Sequence, residues 1–276
     1  MALAAGLHFV ATPIGAARDI TLRALDILRD ADVLAAEDTR TLRHLMEIHG
    51  IPLNGRPLVA YHDHNGDTAG PRLIRAMEEG KTVAYASEAG TPLVSDPGFE
   101  LGRAAIAAGL PVLTAPGPSA VLAALTVSGL PSDRFLFAGF LPSASGARKK
   151  ALAEVAGIQA TLIFYESPKR LAASLRDMAE VMGDRQAVVC RELTKKFEQT
   201  VRDTLPALAE TYADQSVKGE IVVLIDRALP QAATEADVED ALRAALEHAS
   251  VKDAAAEVAA RLNLPKRDVY QLALKL

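Results

Sequence analysis

Between Val83 and Gly98 the chain reads V-A-Y-A-S-E-A-G-T-P-L-V-S-D-P-G, an apolar strand-like run that ends in a loop crowded with Gly, Pro, Ser and carboxylates. Glycine takes positive φ and lets a ligand approach the backbone, while proline fixes φ and removes a donor, so the two build a rigid, open loop. Three other strand-like runs end in the same style. They give Ala11-Thr12-Pro13-Ile14-Gly15, Ala36-Glu37-Asp38-Thr39-Arg40 and Ala115-Pro116-Gly117-Pro118-Ser119-Ala120. Ligands of open α/β sheets bind outside the carboxyl ends of the strands, so four such loops on one sheet edge read as a ligand platform.

The elements that must position these loops alternate up to about residue 117. Strands are expected at Leu7-Val10, Val33-Ala36, Leu58-Tyr61, Thr82-Ala86 and Pro111-Thr114, and helices at Thr21-Arg29, Thr41-Ile48, Pro71-Glu79 and Phe99-Ala108. That alternation predicts a mostly parallel sheet covered on both faces. Gly50, Gly80 and Gly109 follow the last apolar turns as helix C-caps. A second pattern runs from Ser119: helix Ser119-Thr126, strand Phe135-Phe140, a break at Pro142-Lys150, strand Thr161-Tyr165, helix Pro168-Met182, and strands Ala187-Arg191 and Glu220-Ile225. Its aromatics and hairpin-length spacings suggest a mixed sheet. Expected boundaries are residues 1–117 and 118–230 for two α/β domains, with a helical, Ala-rich segment at 231–276.

With 276 residues, half of them hydrophobic, and no uninterrupted apolar run of bilayer length, the chain is expected to be soluble. The N-terminus carries no basic region of a secretory signal, so a cytoplasmic location is expected. The lone Cys190 excludes an internal disulfide framework and a thiolate-rich metal site, and reads as a small buried hydrophobe. A net charge of −5 argues against indiscriminate nucleic-acid binding. Local basic groups remain at Arg148-Lys149-Lys150, Lys169-Arg170 and Lys195-Lys196, either patches or solvated helix faces.

The four loops, together with Asp19-Ile20-Thr21, resemble those of the tetrapyrrole-methylase superfamily. Further motifs resemble the branch of that superfamily that acts on ribosomal RNA. They are Ser128-Gly129-Leu130-Pro131 with Phe140-Leu141-Pro142, Phe164-Tyr165-Glu166-Ser167-Pro168, Arg191-Glu192-Leu193-Thr194-Lys195 and Lys218-Gly219-Glu220. The resemblance spans roughly residues 8 to 225 in order. It implies a class III methyltransferase fold, with two α/β domains clasping S-adenosylmethionine in a cleft between them, usually as a homodimer. It also implies 2′-O-methylation of a cytidine ribose in the 16S rRNA of the small ribosomal subunit, with no membrane partner. A methyltransferase for a tetrapyrrole or other small molecule shares the cofactor site and is the alternative. A ligand-sensing helix-turn-helix regulator would explain only the C-terminal segment.

Carried onto this chain, the resemblance gives as cofactor-binding residues Pro13, Gly15, Glu88, Gly90, Thr91, Pro92, Ser95, Pro116, Gly117, Ser119 and Ala120, with Tyr165, Glu166, Lys218, Gly219 and Glu220 closing the cleft. Ser119, at a helix start, would present backbone N–H groups to the ligand's carboxylate. Glu88 stands where the family has Asp, Ala16 where Asn is common and Lys169 where His often follows, so the partner of Glu88 is left open.

Methyl transfer to a ribose oxygen needs the hydroxyl held in line behind the methyl carbon and a group to take its proton. By residue type the catalytic candidates are Glu37, Asp38, His62 and His64, with Arg40. His62 and His64, with Asn65, resemble the family's His-x-His-Asn segment. Arg40 and Arg43 either contact RNA phosphate or pair with Glu37 or Asp38. His62, Asp63 and His64 lack a distant fourth ligand, so no metal is expected. Finally, Val251 to Leu274 has a helix-turn-helix rhythm, with Lys266, Arg267 and Tyr270 near the start of its second helix. That segment either meets nucleic acid or forms a helical cap or dimer contact.

Overall fold

A computed structural model describes residues 3–62, 64–228, 235–262 and 264–276. Asp63, Asn263, Thr234 and the expected break at Leu229-Pro230 lie outside the described residues. The N-terminal half follows β1 (Gly6–Val10), α1 (Leu22–Asp30), β2 (Val33–Ala36), α2 (Thr39–Ile48), β3 (Leu58–Ala60), α3 (Gly66–Glu78), β4 (Thr82–Ala86), α4 (Phe99–Ala107) and β5 (Val112–Ala115). It continues with α5 (Ala120–Ser128), β6 (Phe135–Phe140), α6 (Ser145–Ala156), β7 (Thr161–Glu166), α7 (Leu171–Met182), β8 (Gln186–Arg191), β9 (Gln199–Thr204), α8 (Leu205–Tyr212) and β10 (Ile221–Ile225). Helices α9 (Glu235–Leu246), α10 (Val251–Leu262) and α11 (Lys266–Ala273) follow.

The first sheet has the order β3-β2-β4-β1-β5 and is parallel throughout. Successive residues of a strand face opposite sides, and both sides are apolar here. Val10, Leu34, Ala36, Ala84 and Ala86 pack under α1 and α2, while Leu7, Phe9, Val33, Ala35, Val83 and Tyr85 pack under α3 and α4. From β1 the chain crosses to β2 on one side, and from β4 it crosses to β5 on the other. The carboxyl ends of β1 and β4 therefore flank a crevice, the position favoured for ligands in such sheets.

The second sheet, β6-β7-β10-β8-β9, is mixed: β6 and β7 run parallel and the other pairs antiparallel. Helices α6, α7 and α8 cover one face through Leu152, Leu171, Leu175, Met178 and Leu208. The largely apolar α5 covers the other, against Ile163, Val188, Cys190, Val222 and Leu224. Cys190 is fully buried, and burial pushes its thiol up, which suits the packing role read from sequence.

Contacts divide the chain into a unit ending at Arg227, which contains both sheets, and a unit from Ala228 to Leu276. The second unit has its own core of Val238, Leu242, Ala254, Ala255, Val258 and Val269. Among the described residues no helix is long and apolar enough to cross a membrane.

Several elements differ from expectation. Helix α3 begins five residues before Pro71, which stands inside the helix and donates no backbone hydrogen bond there. The expected break at Pro142-Lys150 contains the first half of α6, and Arg148 is not a surface cation: it is 3% exposed and pairs with Asp177 at 2.7 Å. Strand β9 and helix α8 were not foreseen. β9 reads Q-T-V-R-D-T, an edge strand with little apolar signal.

Candidate active site

The loops at the carboxyl edge of the first sheet tie one another down. Thr12 and Gly90 exchange backbone hydrogen bonds at 2.9 and 3.0 Å, forming an isolated bridge between the loops after β1 and β4. Ser87 Oγ donates to Gly90 O at 2.6 Å, Thr91 Oγ1 donates to Pro118 O at 2.8 Å, and Tyr85 Oη donates to Pro97 O at 3.0 Å. Within this frame Leu93 and Ser95 adopt φ of 71° and 61°, a region costly for side-chain-bearing residues. Backbone strain of that kind is held only where the surroundings over-determine it, and it clusters at ligand sites.

Directly below that loop is a cavity of 410 Å³, within the range of small-ligand sites. The first sheet contributes Ile14, Ala89, Val94, Ser95 and Asp96, and α5 contributes Ala120. From the second sheet come Phe140, Tyr165 to Pro168, Cys190, Leu193 and Gly219 to Val222. Phe137 and Phe140 pack edge-on against Tyr165, with ring centroids 4.7 and 5.5 Å away, and make an aromatic wall. Burial and the nearby Asp96 push the Tyr165 hydroxyl up to about 12.

The charged groups lining the cavity are all carboxylates: Asp96, Glu166 and Glu220. Glu166 is fully engaged. Its Oε1 accepts from Ser167 N at 2.6 Å and pairs with Arg170 at 2.7 Å, and its Oε2 accepts from Ser174 Oγ. Glu220 pairs with Lys195 at 2.9 Å. Asp96 has no hydrogen-bond or ion-pair partner among the described residues. Burial first, then the charges of Glu37 and Glu88, raise its carboxyl to about 7.

An open groove of 450 Å³ holds the catalytic candidates read from sequence: Glu37, Asp38, Arg40, His62 and His64, together with Thr39, Ala60 and Glu88. Asp38 caps α2 by accepting from Arg40 N at 2.8 Å, and its carboxylate pairs with the Arg40 guanidinium at 2.7 Å. Those bonds hold Asp38 down at about 2. Asn65 pins the histidine loop, donating to Ala60 O and accepting from His62 N, both at 2.9 Å. The His62 and His64 rings are 6.0 Å apart, and His62 Nδ1 is buried without a partner. Among the described residues no group of three or more His, Cys, Asp or Glu is placed to hold a metal ion.

Of the residues read as cofactor-binding, Ser95, Ala120, Tyr165, Glu166, Gly219 and Glu220 line the cavity, and Glu88 lies in the groove. Pro13, Gly15, Gly90, Thr91, Pro92, Pro116, Gly117, Ser119 and Lys218 line neither. Several of these instead hold the walls in place. A Cβ on Gly15 would fall 2.5 Å from Lys195 Cγ and 2.6 Å from Thr194 Oγ1, and one on Gly117 would fall 2.9 Å from Ala11 Cβ. Beside Gly15, Ala16 N donates to Thr194 Oγ1 at 3.1 Å, so the departure at position 16 leaves a backbone contact between the loops after β1 and β8. Ser119 is the N-cap of α5, directly before Ala120, and Lys218 O accepts from Arg191 at 3.2 Å. Sequence reading passed over Asp96 and Phe140 as site residues, although both stand in the motifs it quoted. The signal available was a lone carboxylate between two strained turns and an aromatic at a strand end.

Residues 6–209 match a family model described as tetrapyrrole (corrin/porphyrin) methylases, and residues 232–276 match one described as RsmI C-terminal HTH domain. A Mesorhizobium japonicum protein named ribosomal RNA small subunit methyltransferase I is 49% identical over 98% of this chain and 92% of its own length. A Pseudomonas aeruginosa protein of the same name is 44% identical, over 98% of this chain and 96% of that protein. Among solved structures, a diphthine synthase matches with a TM-score of 0.62 at 18% identity, over 80% of this chain and 89% of that one. The uroporphyrin-III C-methyltransferase of Thermus thermophilus, solved with S-adenosyl homocysteine, matches with a TM-score of 0.54 at 21% identity, over 79% and 96%. At such identities these structures speak for the fold, the two-sheet class III methyltransferase architecture. The chain belongs to the tetrapyrrole (corrin/porphyrin) methylase family.

Proposed function

We propose that this protein is a cytoplasmic S-adenosylmethionine-dependent methyltransferase that modifies the ribose 2′-oxygen of a cytidine in 16S rRNA, acting on the small ribosomal subunit as a homodimer. The observation that carries this reading is relatedness along the whole chain, the C-terminal helices included, to proteins named for methylating small-subunit ribosomal RNA.

The residues of the cavity fit the cofactor. Its charged groups are carboxylates, a setting that favours a ligand bearing a cationic sulfonium and an ammonium group and would repel a phosphate. Apolar Ile14, Val94, Leu193 and Ile221 and the aromatic Tyr165 suit an adenine, and the strained loop brings Ala89, Val94 and Ser95 to the cavity wall. Bound there, S-adenosylmethionine supplies an electrophilic methyl group. Glu166 serves this site as a positioning residue, because its carboxylate fastens the β7–α7 turn through Ser167, Ser174 and Arg170.

The groove suits the nucleotide. Glu37 and Glu88 can accept hydrogen bonds from an exocyclic amine or from ribose hydroxyls, and Arg40, 91% exposed in its side chain, can meet a phosphate. Lys266 and Arg267, exposed at the start of α11, offer further cations to RNA.

The test is transfer of labelled methyl groups from S-adenosylmethionine to 16S rRNA and to small subunits from cells that lack the protein. The modified cytidine should appear as a 2′-O-methyl nucleoside. No incorporation into either substrate overturns the proposal.

A further inference from the structure

Asp96 lines the cavity, and the two carboxylates whose charges act on it, Glu37 and Glu88, line the open groove. The groups facing it are Glu37 from the β2 loop, Glu88 from the β4 loop and Tyr165 from β7, with Glu220 acting on Tyr165 from before β10. None of these is a cation. Ser95, immediately before it, is held at φ 61°, and Gly98, two residues on, takes φ 116° where a Cβ would fall 3.0 Å from Tyr85 Cε1. A turn this constrained holds the Asp96 backbone in place.

The other titratable groups are committed elsewhere or placed elsewhere. Asp38 is clamped by Arg40, Glu166 by Arg170 and Ser174, and Glu220 by Lys195. Tyr165 keeps its proton through the neutral range. His62 and His64 line the open groove and not the cavity. We propose that Asp96, an unpartnered carboxylate on the cavity wall, is the catalytic residue that takes the proton from the ribose hydroxyl. The inference rests on the ribose-methylation reading above. In the step, the hydroxyl oxygen forms a bond to the methyl carbon as the carbon–sulfur bond breaks. The bonding pair leaves with sulfur, neutralising the sulfonium, and the hydroxyl proton passes to an Asp96 Oδ. Its raised carboxyl, at about 7, matches a base that must accept a proton near neutral pH and return it to solvent.

Single-turnover methyl transfer by the full-length protein, followed from pH 5 to 9, tests this together with two measurements that need no turnover. Asp96→Asn should slow the step by roughly 10²–10⁴-fold, the usual contribution of a general base, and remove the neutral inflection from the pH profile. Calorimetric affinity for S-adenosylhomocysteine should be unchanged in the variant. Carbon-13 spectra of labelled aspartate carboxyls should show one group titrating near neutrality that vanishes in Asp96→Asn. Glu37→Gln and Glu88→Gln should each move that titration to lower pH, as loss of a neighbouring negative charge requires. A purely structural Asp96 would titrate in the same way but would leave the neutral inflection of the rate profile in place in Asp96→Asn. A rate within about threefold of wild type, far short of the loss expected when a general base is removed, places the base elsewhere. A loss of cofactor-product affinity parallel to the loss of rate makes Asp96 a ligand of the methyl donor, and overturns the proposal equally. Should the wild-type protein transfer no methyl group to any rRNA, the functional reading fails, and the carboxyl titration still reports on Asp96 itself.

Discussion

Gly219 and Glu192 are packed so closely that a Cβ on the glycine would lie 2.5 Å from the Glu192 Cγ, Cδ and Oε1 atoms. The contact joins two segments that both border the cavity. Glu192 N donates to Glu220 O at 2.9 Å, and Glu220 N donates back to Glu192 Oε1 at 3.0 Å. Lys195 then bridges Glu192 and Glu220 at 3.2 and 2.9 Å. Glu192 itself sits at φ 51° and Gly219 at φ 96°, so neither segment can yield cheaply.

Gly219→Ala should therefore break the latch. Displacing Glu192 and forcing an alanine to positive φ costs about 1–3 kcal/mol each by the usual range for strained backbone. The expected outcome is a lower melting temperature and weaker S-adenosylhomocysteine binding, measured by scanning calorimetry and titration calorimetry. Unchanged affinity would show that the wall formed by Gly219 and Glu220 is not part of the cofactor site.

Arg40 lies in the groove rather than the cavity, so its loss should separate RNA contact from cofactor contact. Arg40→Ala should abolish methyl transfer while sparing S-adenosylhomocysteine affinity. If Arg40 meets a single phosphate, the slope of log affinity for rRNA against log salt should fall by roughly one. The same variant frees Asp38, whose carboxyl is held at about 2 chiefly by the hydrogen bond from Arg40, so Asp38 should titrate nearer its ordinary value. Full activity in Arg40→Ala would remove it from the site.

Much of the first sheet was legible because parallel strands are apolar on both faces and their helices end at glycines with positive φ: Gly50, Gly80 and Gly109. The edge strand β9 lacked that signal, since V-R-D-T shows neither an apolar run nor clean alternation. Arg148 was misread for a different reason. Charge alone marks a residue as exposed, and only the fold places Asp177 and Ser145 beside it. The site loops were legible as motifs, yet motif membership does not separate a residue that lines the cavity, such as Ser95, from one that braces it, such as Thr91. Asp96 was hidden because its distinction is a lack of partners, which a sequence cannot display.

The Arg148–Asp177 pair should be a large stability element. Arg148 donates Nε to Asp177 Oδ2 at 2.7 Å and Nη1 to the Ser143 carbonyl at 2.9 Å, and Ser145 Oγ donates to Asp177 Oδ1 at 3.0 Å. Arg148→Ala leaves the Asp177 carboxylate without its main partner and should cost about 3–5 kcal/mol in denaturant unfolding. Replacing both residues with apolar ones should recover much of that loss, because the uncompensated charge disappears. A loss below about 1 kcal/mol, the level of an exposed pair, would mean that water reaches the carboxylate.

The half-buried Asp96 makes stability depend on pH in a direction opposite to that of a salt-bridged carboxylate. Its folded carboxyl is raised to about 7 from an ordinary 3.8, so between these values the folded protein holds a proton that the unfolded chain has lost. Stability then falls as pH rises through this window, and above about 7 the folded protein carries the full burden of a charge next to Glu37 and Glu88. Asp96→Asn keeps the shape and removes the charge. It should raise the melting temperature modestly at pH 5, where only the unfolded chain has lost the proton, and more at pH 8, where the folded protein has lost it too. A residue retained at a cost to stability is what a catalytic carboxylate in a desolvated site requires. A melting-temperature difference that is the same at both pH values would show that Asp96 is ionised throughout and sits in a solvated, compensated position.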